Sequence, residues 1–460
     1  MTPSQRKEER PIAALIAPDI LALLEESPSD VATETEEMHA ADLADVAESL
    51  PIDKVKLLLR VLPADRAADV LEYLDEELRA EVLEEMPASQ AAKLVSEMTP
   101  DDRVDVLEEL EAERTKEILA EIPAEARRET EELLTYAPDS AGGIMTTEFV
   151  QLPETMTVDE ALTNVRRIAR AGRREAMHAL YVTDAQGALR GVMSLRELLA
   201  APEGTRIADV AWEEVVSVPA TADRAEVARM TSDYDLVAVP VVDDAGRVIG
   251  VVTVDDVIDA IVEEQTEDVQ KLGAVQPLEG PYFQAGFWSI ARKRGGWLIL
   301  LFIEEMFTGT ALRHYEATLA SAIALTFFIP LIISSGGNSG SQSATLITRA
   351  LAVGDVEMRD ALRVFLRELG QGLVLGAFLG AIGFGRALMW GNGVEVAWVV
   401  ASTLLFVVIT GTIVGAMLPL LFTRLGFDPA IASSPFVASL VDVAGIIIYF
   451  NIAIHLLGLS

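Results

Sequence analysis

The chain has 460 residues, 72 Asp and Glu against 36 Lys and Arg, a net charge of −36, four His and no Cys. That acidity argues against nucleic acid or an anionic lipid surface as partner and suits divalent cations. The absence of thiols excludes disulfides and thiolate metal sites, and four scattered His argue against a catalytic zinc centre.

The excess charge is confined to one part. Residues 1–284 carry 26 Lys and Arg against 62 Asp and Glu, whereas residues 285–460 carry ten of each sign. Unneutralised carboxylates at that density repel one another and loosen a compact state unless cations are supplied. The apolar stretch Ile12–Ala17 is too short for the core of a signal peptide, so the acidic part is expected to stay in the cytoplasm.

In chain order, an N-terminal extension over 1–41 leads into an internal repeat, assigned to 42–138. Leu50, Leu62, Leu74, Met86, Met98, Leu110 and Ile122 recur every twelve residues, and Pro51, Pro63, Pro87 and Pro123 directly follow four of them. Each unit reads as a short helix broken by Pro and restarted by Asp or Ser in its first turn. One such helix cannot bury its apolar face alone, so the units should stack into an all-α superhelix. Asp69, Asp101, Asp102 and Asp105 lie on this array, either as a solvated face or as cation ligands.

Residues 139–262 read as two copies of a helix, strand, Asp-containing turn, strand and helix. The first contains Ala179–Gly187 and Gly191–Glu197, the second Leu236–Gly246 and the run Gly250-Val-Val-Thr253-Val-Asp-Asp256. This α/β pattern resembles a tandem pair of CBS (cystathionine-β-synthase) domains. Such pairs either sense adenine nucleotides or serve only as dimerisation modules. The resemblance gives Thr253 and Asp256 as ribose contacts if ATP binds there, while the first copy has Ser194 and Glu197 instead. Residues 263–289 form a linker, with a helix in its first half ending near Gly273.

Five apolar segments follow, about Gly296–Leu312, Leu319–Ser334, Gly370–Met389, Val396–Phe422 and Pro435–Leu459, making 290–460 a five-helix membrane domain. Continuation of the second through Leu346 is the alternative. With the N-terminus inside, Arg292, Lys293, Arg294, Arg349, Arg359, Arg363, Arg367 and Arg424 flank the inner face, and only Arg313 and Arg386 the outer. The bias predicts a cytoplasmic N-terminus and an outside C-terminus, in the cell (inner) membrane.

One carboxylate, Asp442, lies within the last apolar run. A charge at mid-membrane costs roughly 2.5–3.5 kcal/mol, so it should face protein or water and carry a function. Ala438, Ser439 and Gly445 around it allow another helix to approach. The second span contains Ser335-Gly-Gly-Asn338-Ser-Gly-Ser-Gln342, which suits a tight helix interface or a wet path. Glu304 and Glu305 lie in the first span and read as structural or ion-guiding.

Pro330 with that Ser/Gly/Asn run, Phe427-Asp428-Pro429-Ala430 with Ser433-Ser434-Pro435, and Asp442 together resemble the MgtE family of magnesium channels. The preceding repeat and CBS pair are similar to that family's domain order. The resemblance implies a homodimer in the lipid bilayer with a central divalent-cation pore, closed by cytosolic Mg²⁺ between acidic domains, and no enzymatic activity. It implies Asp442, the Ala438 carbonyl and Asn338 at the pore ion. It places regulatory Mg²⁺ at Asp69, Asp101, Asp105, Asp223, Asp235, Asp256, Glu267, Asp268 and Asp428. Ser434 stands at the pore mouth where some relatives carry an amide.

Elementary chemistry points the same way. Mg²⁺ dehydrates reluctantly and is held by one or two carboxylates with waters retained, which two Asp442 across a dimer axis would supply. A negative-inside potential favours entry by ~2.3 kcal/mol per charge per 100 mV, roughly 4.6 for a divalent ion. No phosphate-binding loop for ATP hydrolysis is visible, so a passive conduit is expected over a pump. A proton- or sodium-coupled carrier using Glu304, Glu305 and Asp442 is the alternative, and a membrane-tethered sensor without transport a third reading.

Overall fold

The computed structural model describes residues 11–170, 179–278, 282 and 285–459. The end of the Ala- and Arg-rich helix of the first α/β copy and part of the Pro/Gly linker lie outside these residues. The chain divides into two units, Met1–Val262 and Glu263–Ser460.

The first unit opens with α1 (Pro11–Glu26) and, after short turns, the helical array α2 (Ala40–Ala47), α3 (Ile52–Val61), α4 (Ala64–Glu72), α5 (Glu76–Glu85), α6 (Ala88–Glu97), α7 (Pro100–Glu108), α8 (Ala112–Glu121) and α9 (Ala124–Leu133). Every apolar residue of the twelve-residue period is buried. Leu62, Met86, Met98 and Ile122 end their helices in extended backbone, so the side chain that closes one helix is driven into the core beneath the next. Pro63, Pro87 and Pro123 then occupy the position just before the following helix, with no side-chain cap of their own. Pro costs nothing there because the first amides of a helix have no intrahelical partner.

Arginines satisfy the carbonyls left open at the helix ends. Arg66 donates to the Thr35, Glu36 and Met38 carbonyls, Arg103 to Val95 and Met98, Arg114 to Leu83 and Met86, and Arg127 to Ala120 and Ile122. A cation at a helix C-terminus also meets the negative end of the helix dipole. Arg103 and Arg114 also pair with Glu129 and Glu117, so these side chains join helix ends to acids of the same array.

The two α/β copies repeat one topology. In the first, β1 (Val150–Pro153) pairs parallel with β2 (Leu180–Thr183), which pairs antiparallel with β3 (Leu189–Met193); α10 (Val158–Arg170) and α11 (Leu195–Ala200) complete it. In the second, β4 (Val218–Pro219), β5 (Ala238–Val242) and β6 (Val248–Thr253) have the same order and senses, with α12 (Arg224–Tyr234) between β4 and β5. Gly250 is required by close approach, since a Cβ there would lie 2.6 Å from Met145 Sδ. Ser194 and Glu197 form a reciprocal capping box on α11, and Trp212 Nε1 donates to Glu197, so these two side chains serve the local fold.

A single helix, α13 (Val254–Leu272), runs from the second copy into the linker and carries the division between the two units. It starts earlier than the linker helix expected from sequence because no Gly or Pro interrupts Val254–Leu272, and it stops at Gly273 as expected.

The second unit contains α14 (Phe287–His314), α15 (Ile329–Ala352), α16 (Ala361–Met389), α17 (Gly393–Arg424) and α18 (Ser434–Leu457). Five helical stretches among the described residues are long and apolar enough to cross a membrane, including Ile323–Ala352 and Met358–Met389. The second therefore continues well past Leu346, and Leu319 belongs instead to a short helix, Glu316–Ser321. The polar Ser/Gly run stays helical because its small residues face neighbouring backbones. A Cβ on Gly415 of α17 would collide with the Gly340 carbonyl of α15, and one on Gly411 would sit 2.5 Å from the Gly336 carbonyl. Gly372, Gly376 and Gly380 repeat the device between α16 and α17. Glycines four apart on both partners bring helices into backbone contact, where dispersion replaces the missing hydrophobic drive. By contrast α14 is largely uncovered, exposing Leu298, Ile299, Phe302, Met306 and Phe307.

Candidate ion sites

Within the second unit, Asp442 sits on α18 opposite the glycine face of α15. A Cβ on Gly337 would lie 3.4 Å from Asp442 Oδ1 and 3.2 Å from the Ala438 methyl, so Gly337 leaves the room beside the carboxylate that any other residue would fill. Asp442 Oδ1 is buried and accepts no hydrogen bond from the described residues. A buried acceptor without a donor costs about 1–3 kcal/mol, so the atom awaits either water or a cation. Asn338 is exposed on α15, one residue on, its amide donating to Ser334 Oγ at 3.3 Å. Ala438 and Asp442 thus share the side of α18 that meets Gly337, and Asn338 follows Gly337 on α15. Glu304 and Glu305 of α14 lie within electrostatic reach of Asp442.

Sequence reasoning missed Glu368. It lies on α16, is 5% exposed, and accepts from Ser343 Oγ at 2.7 Å, while its own carbonyl accepts from Thr412 Oγ1. It ties three helices together; its position four residues before Gly372 in the glycine series was the available signal.

The first unit gathers acids at the start of α7 and of α13. Asp101 is 5% exposed and its Oδ1 has no hydrogen-bond partner among the described residues. Asp102 lies beside it, and Thr253 Oγ1 donates to Asp256 Oδ2 at 2.6 Å. Burial, followed by the charge of Asp101, pushes the Asp256 carboxyl up to about 9. Burial and then Asp101 raise Asp102 to about 6. Asp105 keeps part of its side chain in solvent, yet desolvation on its inner side and then Asp102 and Asp101 lift it to about 7. Asp101 is raised by burial as well, against hydrogen bonds from Thr99 and Thr146. Asp69 and Asp255 belong to the same field, since both, with Glu72 and Asp102, act on the Tyr73 phenol. Asp102 is one of the array's acids singled out in the sequence, whereas Asp255 was not among the residues expected from it. Asp223 and Asp235 instead bracket α12: Asp223 caps its start by accepting from the Ala225 amide at 2.8 Å, and Asp235 closes it in left-handed backbone, φ 51°.

Carboxylates forced together in this way fit a divalent cation, which would release them from sharing protons. Among the described residues no group of three acidic or His side chains stands close enough to hold a metal ion. The raised values also set a pH dependence. Between the unfolded carboxyl value near 4 and folded values of about 6 to 9, the folded state holds more protons, so stability falls as pH rises through that window. Thermal unfolding of the full chain in detergent with a chelator should show the melting temperature dropping from pH 5 to pH 9. Added Mg²⁺ should restore it by a few degrees or more, and by more at pH 8 than at pH 6. A rise with pH, or an equal Mg²⁺ gain at both, contradicts this assignment.

A third acidic group lies in the second unit, at the end of α13. Asp428, in the α17–α18 loop, accepts from the Ala430 amide through Oδ1 at 2.8 Å. Its Oδ2 and Glu267 Oε2 each lie 3.0 Å from Lys271 Nζ. Desolvation and then Asp428 hold the neighbouring Asp268 carboxyl above its ordinary range. Lys271 went unnoticed in sequence, although its spacing of four from Glu267 on a helix is a known pairing distance.

These features define a class: a five-helix membrane protein with a carboxylate inside its last span whose Oδ1 no described residue satisfies, joined to an acidic helical array and an α/β pair. Residues 329–452 match the MgtE divalent cation transporter family, 38–139 the MgtE intracellular N domain, and 141–204 and 207–263 the CBS domain. The magnesium transporter MgtE of Thermus thermophilus is 45% identical over 327 residues, covering 71% of this chain and 72% of that one. The magnesium transporter MgtE of Enterococcus faecalis is 37% identical over 332 residues, 72% of each. A crystal structure of the soluble part of a magnesium transporter matches with a TM-score of 0.52 at 32% identity, over 55% of this chain and 99% of that one. The chain belongs to the MgtE family of magnesium transporters. That family is one of membrane transporters, not of enzymes.

Proposed function

We propose that the chain is a homodimeric Mg²⁺ channel of the inner membrane, with its N-terminus in the cytoplasm, its C-terminus outside, and a gate closed by cytosolic Mg²⁺. The observation that carries the reading is Asp442: a carboxylate inside an apolar helix, beside a glycine-made space, with an oxygen that no described residue satisfies. Two such side chains across a dimer axis would repel without a cation and accept a hydrated divalent ion between them. In this reading the Ala438 carbonyl and the Asn338 amide bond to that ion's waters.

Closure follows from charge. At low Mg²⁺ the carboxylates of Asp69, Asp101, Asp102, Asp105, Asp255 and Asp256 repel, and the start of α13 is loosened. Hydrated Mg²⁺ at Asp101, Asp105 and Asp256, and at Asp268 with Asp428, draws the acidic faces together and fixes α13. Asp223 caps α12 through Oδ1 and Asp235 through its backbone amide, so the other Asp223 oxygen and the Asp235 carboxylate are assigned to solvent-side ions.

The nearness of Glu304 and Glu305 to Asp442 favours a second reading, a proton- or sodium-coupled divalent-cation carrier in which these acids pass a proton. Voltage-clamp recording of the purified full chain in bilayers separates the two. The channel gives ohmic unitary openings that Mg²⁺ on the cytoplasmic side closes. Currents whose reversal potential follows the proton or sodium gradient would establish the carrier.

A further inference from the structure

The end of α13 holds a cation that belongs to the chain itself. The Lys271 ammonium lies 3.0 Å from Glu267 Oε2, one turn back on the same helix, and 3.0 Å from Asp428 Oδ2 in the α17–α18 loop. The Lys271 side chain is 25% exposed, against 36% and 37% for the two carboxylates, so the contact is sheltered on one side and open to water on the other. Asp268, the remaining acid, feels Arg349 from the end of α15 as well as Lys271. Three carboxylates therefore meet two basic side chains here. The acids around Asp101 and Asp256 differ: Asp101, Asp102, Asp105, Asp255 and Asp256 act on one another, with Arg79 the cation among the strongest influences on Asp102 and Asp105. One group is nearly neutral by itself and the other is not.

We infer that Lys271 is a tethered counter-ion that takes the place of a divalent ion between Glu267 and Asp428, holding α13 to the α17–α18 loop in the absence of metal. An ammonium has three donors and no geometric demand, so it can bridge two carboxylates from one position. It also occupies the oxygens that a metal bridging this pair would use. The consequence is a division of labour: the joint at Asp428 favours the closed gate at all Mg²⁺ concentrations, and the threshold is set by the uncompensated acids of the first unit. This rests on the reading that cytosolic Mg²⁺ closes the channel, and adds to it an element that resists opening without metal.

The test is Mg²⁺-dependent closure of the full chain in bilayers, wild type against Lys271→Gln, Lys271→Arg, Asp428→Asn and the double variant Lys271→Gln/Asp428→Asn. Asparagine at 428 keeps an oxygen for the Ala430 amide, so the loop retains its cap. Lys271→Gln should raise both the current without Mg²⁺ and the half-closing Mg²⁺ concentration by about two- to five-fold, the range a part-exposed ion pair supports. Lys271→Arg should behave as wild type, and the double variant should match Lys271→Gln with no further shift. An unchanged Lys271→Gln variant overturns the inference. So does a lowered half-closing concentration, which would mean that Lys271 only repels the metal, or a double variant whose shift is the full product of the single ones. A wild type that Mg²⁺ does not close would overturn the proposed function and the role of Lys271 with it.

Discussion

Replacing Asp442 by alanine is expected to reduce Mg²⁺ flux to the level of empty liposomes while leaving the protein folded. The two halves of that expectation have separate reasons. A divalent ion crossing the middle of the apolar layer loses its only nearby compensating charge on α18, and even a lone charged side chain at that depth costs roughly 2.5–3.5 kcal/mol. At about 1.4 kcal/mol per factor of ten, the loss is on the order of a hundredfold or more. The fold should survive because Asp442 Oδ1 has no donor among the described residues, so truncation leaves no protein group unsatisfied. Flux measured with a Mg²⁺-sensitive dye, beside a melting curve in detergent, reads both. Unaltered flux and selectivity in the alanine variant would remove Asp442 from the ion path. A lost fold would instead assign it a structural role, as Glu368 has with Ser343.

The second large effect concerns closure. The double variant Asp256→Asn/Glu267→Gln should keep conducting at cytosolic Mg²⁺ concentrations that shut the wild type, with its half-closing concentration raised about tenfold or more, the loss of one strong carboxylate interaction with a cation. Asn at 256 can still accept from Thr253 Oγ1, so it imitates the protonated carboxyl that burial already favours. For that reason the variant should be more stable than wild type in chelator at pH 8, and gain less from Mg²⁺. Current recordings and melting curves with and without Mg²⁺ decide it. Closure at the wild-type concentration rejects Asp256 as a sensor and Glu267 as a support of the closed state, whatever the melting curves show.

The order of parts was legible along the chain because each part has its own period. A twelve-residue apolar repeat punctuated by Pro, two copies of Gly-Val-Met/Val-Ser/Thr, and long apolar runs are local signals that need no partner to be read. The lone acid in the last span was legible for the same reason: charge inside an apolar helix stands out in one dimension. Sequence also predicted the helix ending at Gly273. It placed the start of that helix too late, because a domain boundary need not coincide with a helix end, and α13 carries the division without a break. It gave continuation of the second span through Leu346 only as the alternative, since the Ser/Gly run Ser334–Thr345 has poor hydropathy, and only the backbones of α17 show why it stays helical.

What the linear chain determined was composition and period: the acidic surplus, the apolar lengths, and which carboxylates exist. What tertiary structure decided was which of them are compensated. Arg66, Arg103, Arg114 and Arg127 turn inward to helix ends, Lys271 turns to Glu267 and Asp428, the Asp223 carboxylate caps α12, and Asp101, Asp102 and Asp256 are left to crowd one another. The reason is that electrostatic partnership depends on distances through space and on water excluded by neighbours, and neither quantity is written in spacing along the chain.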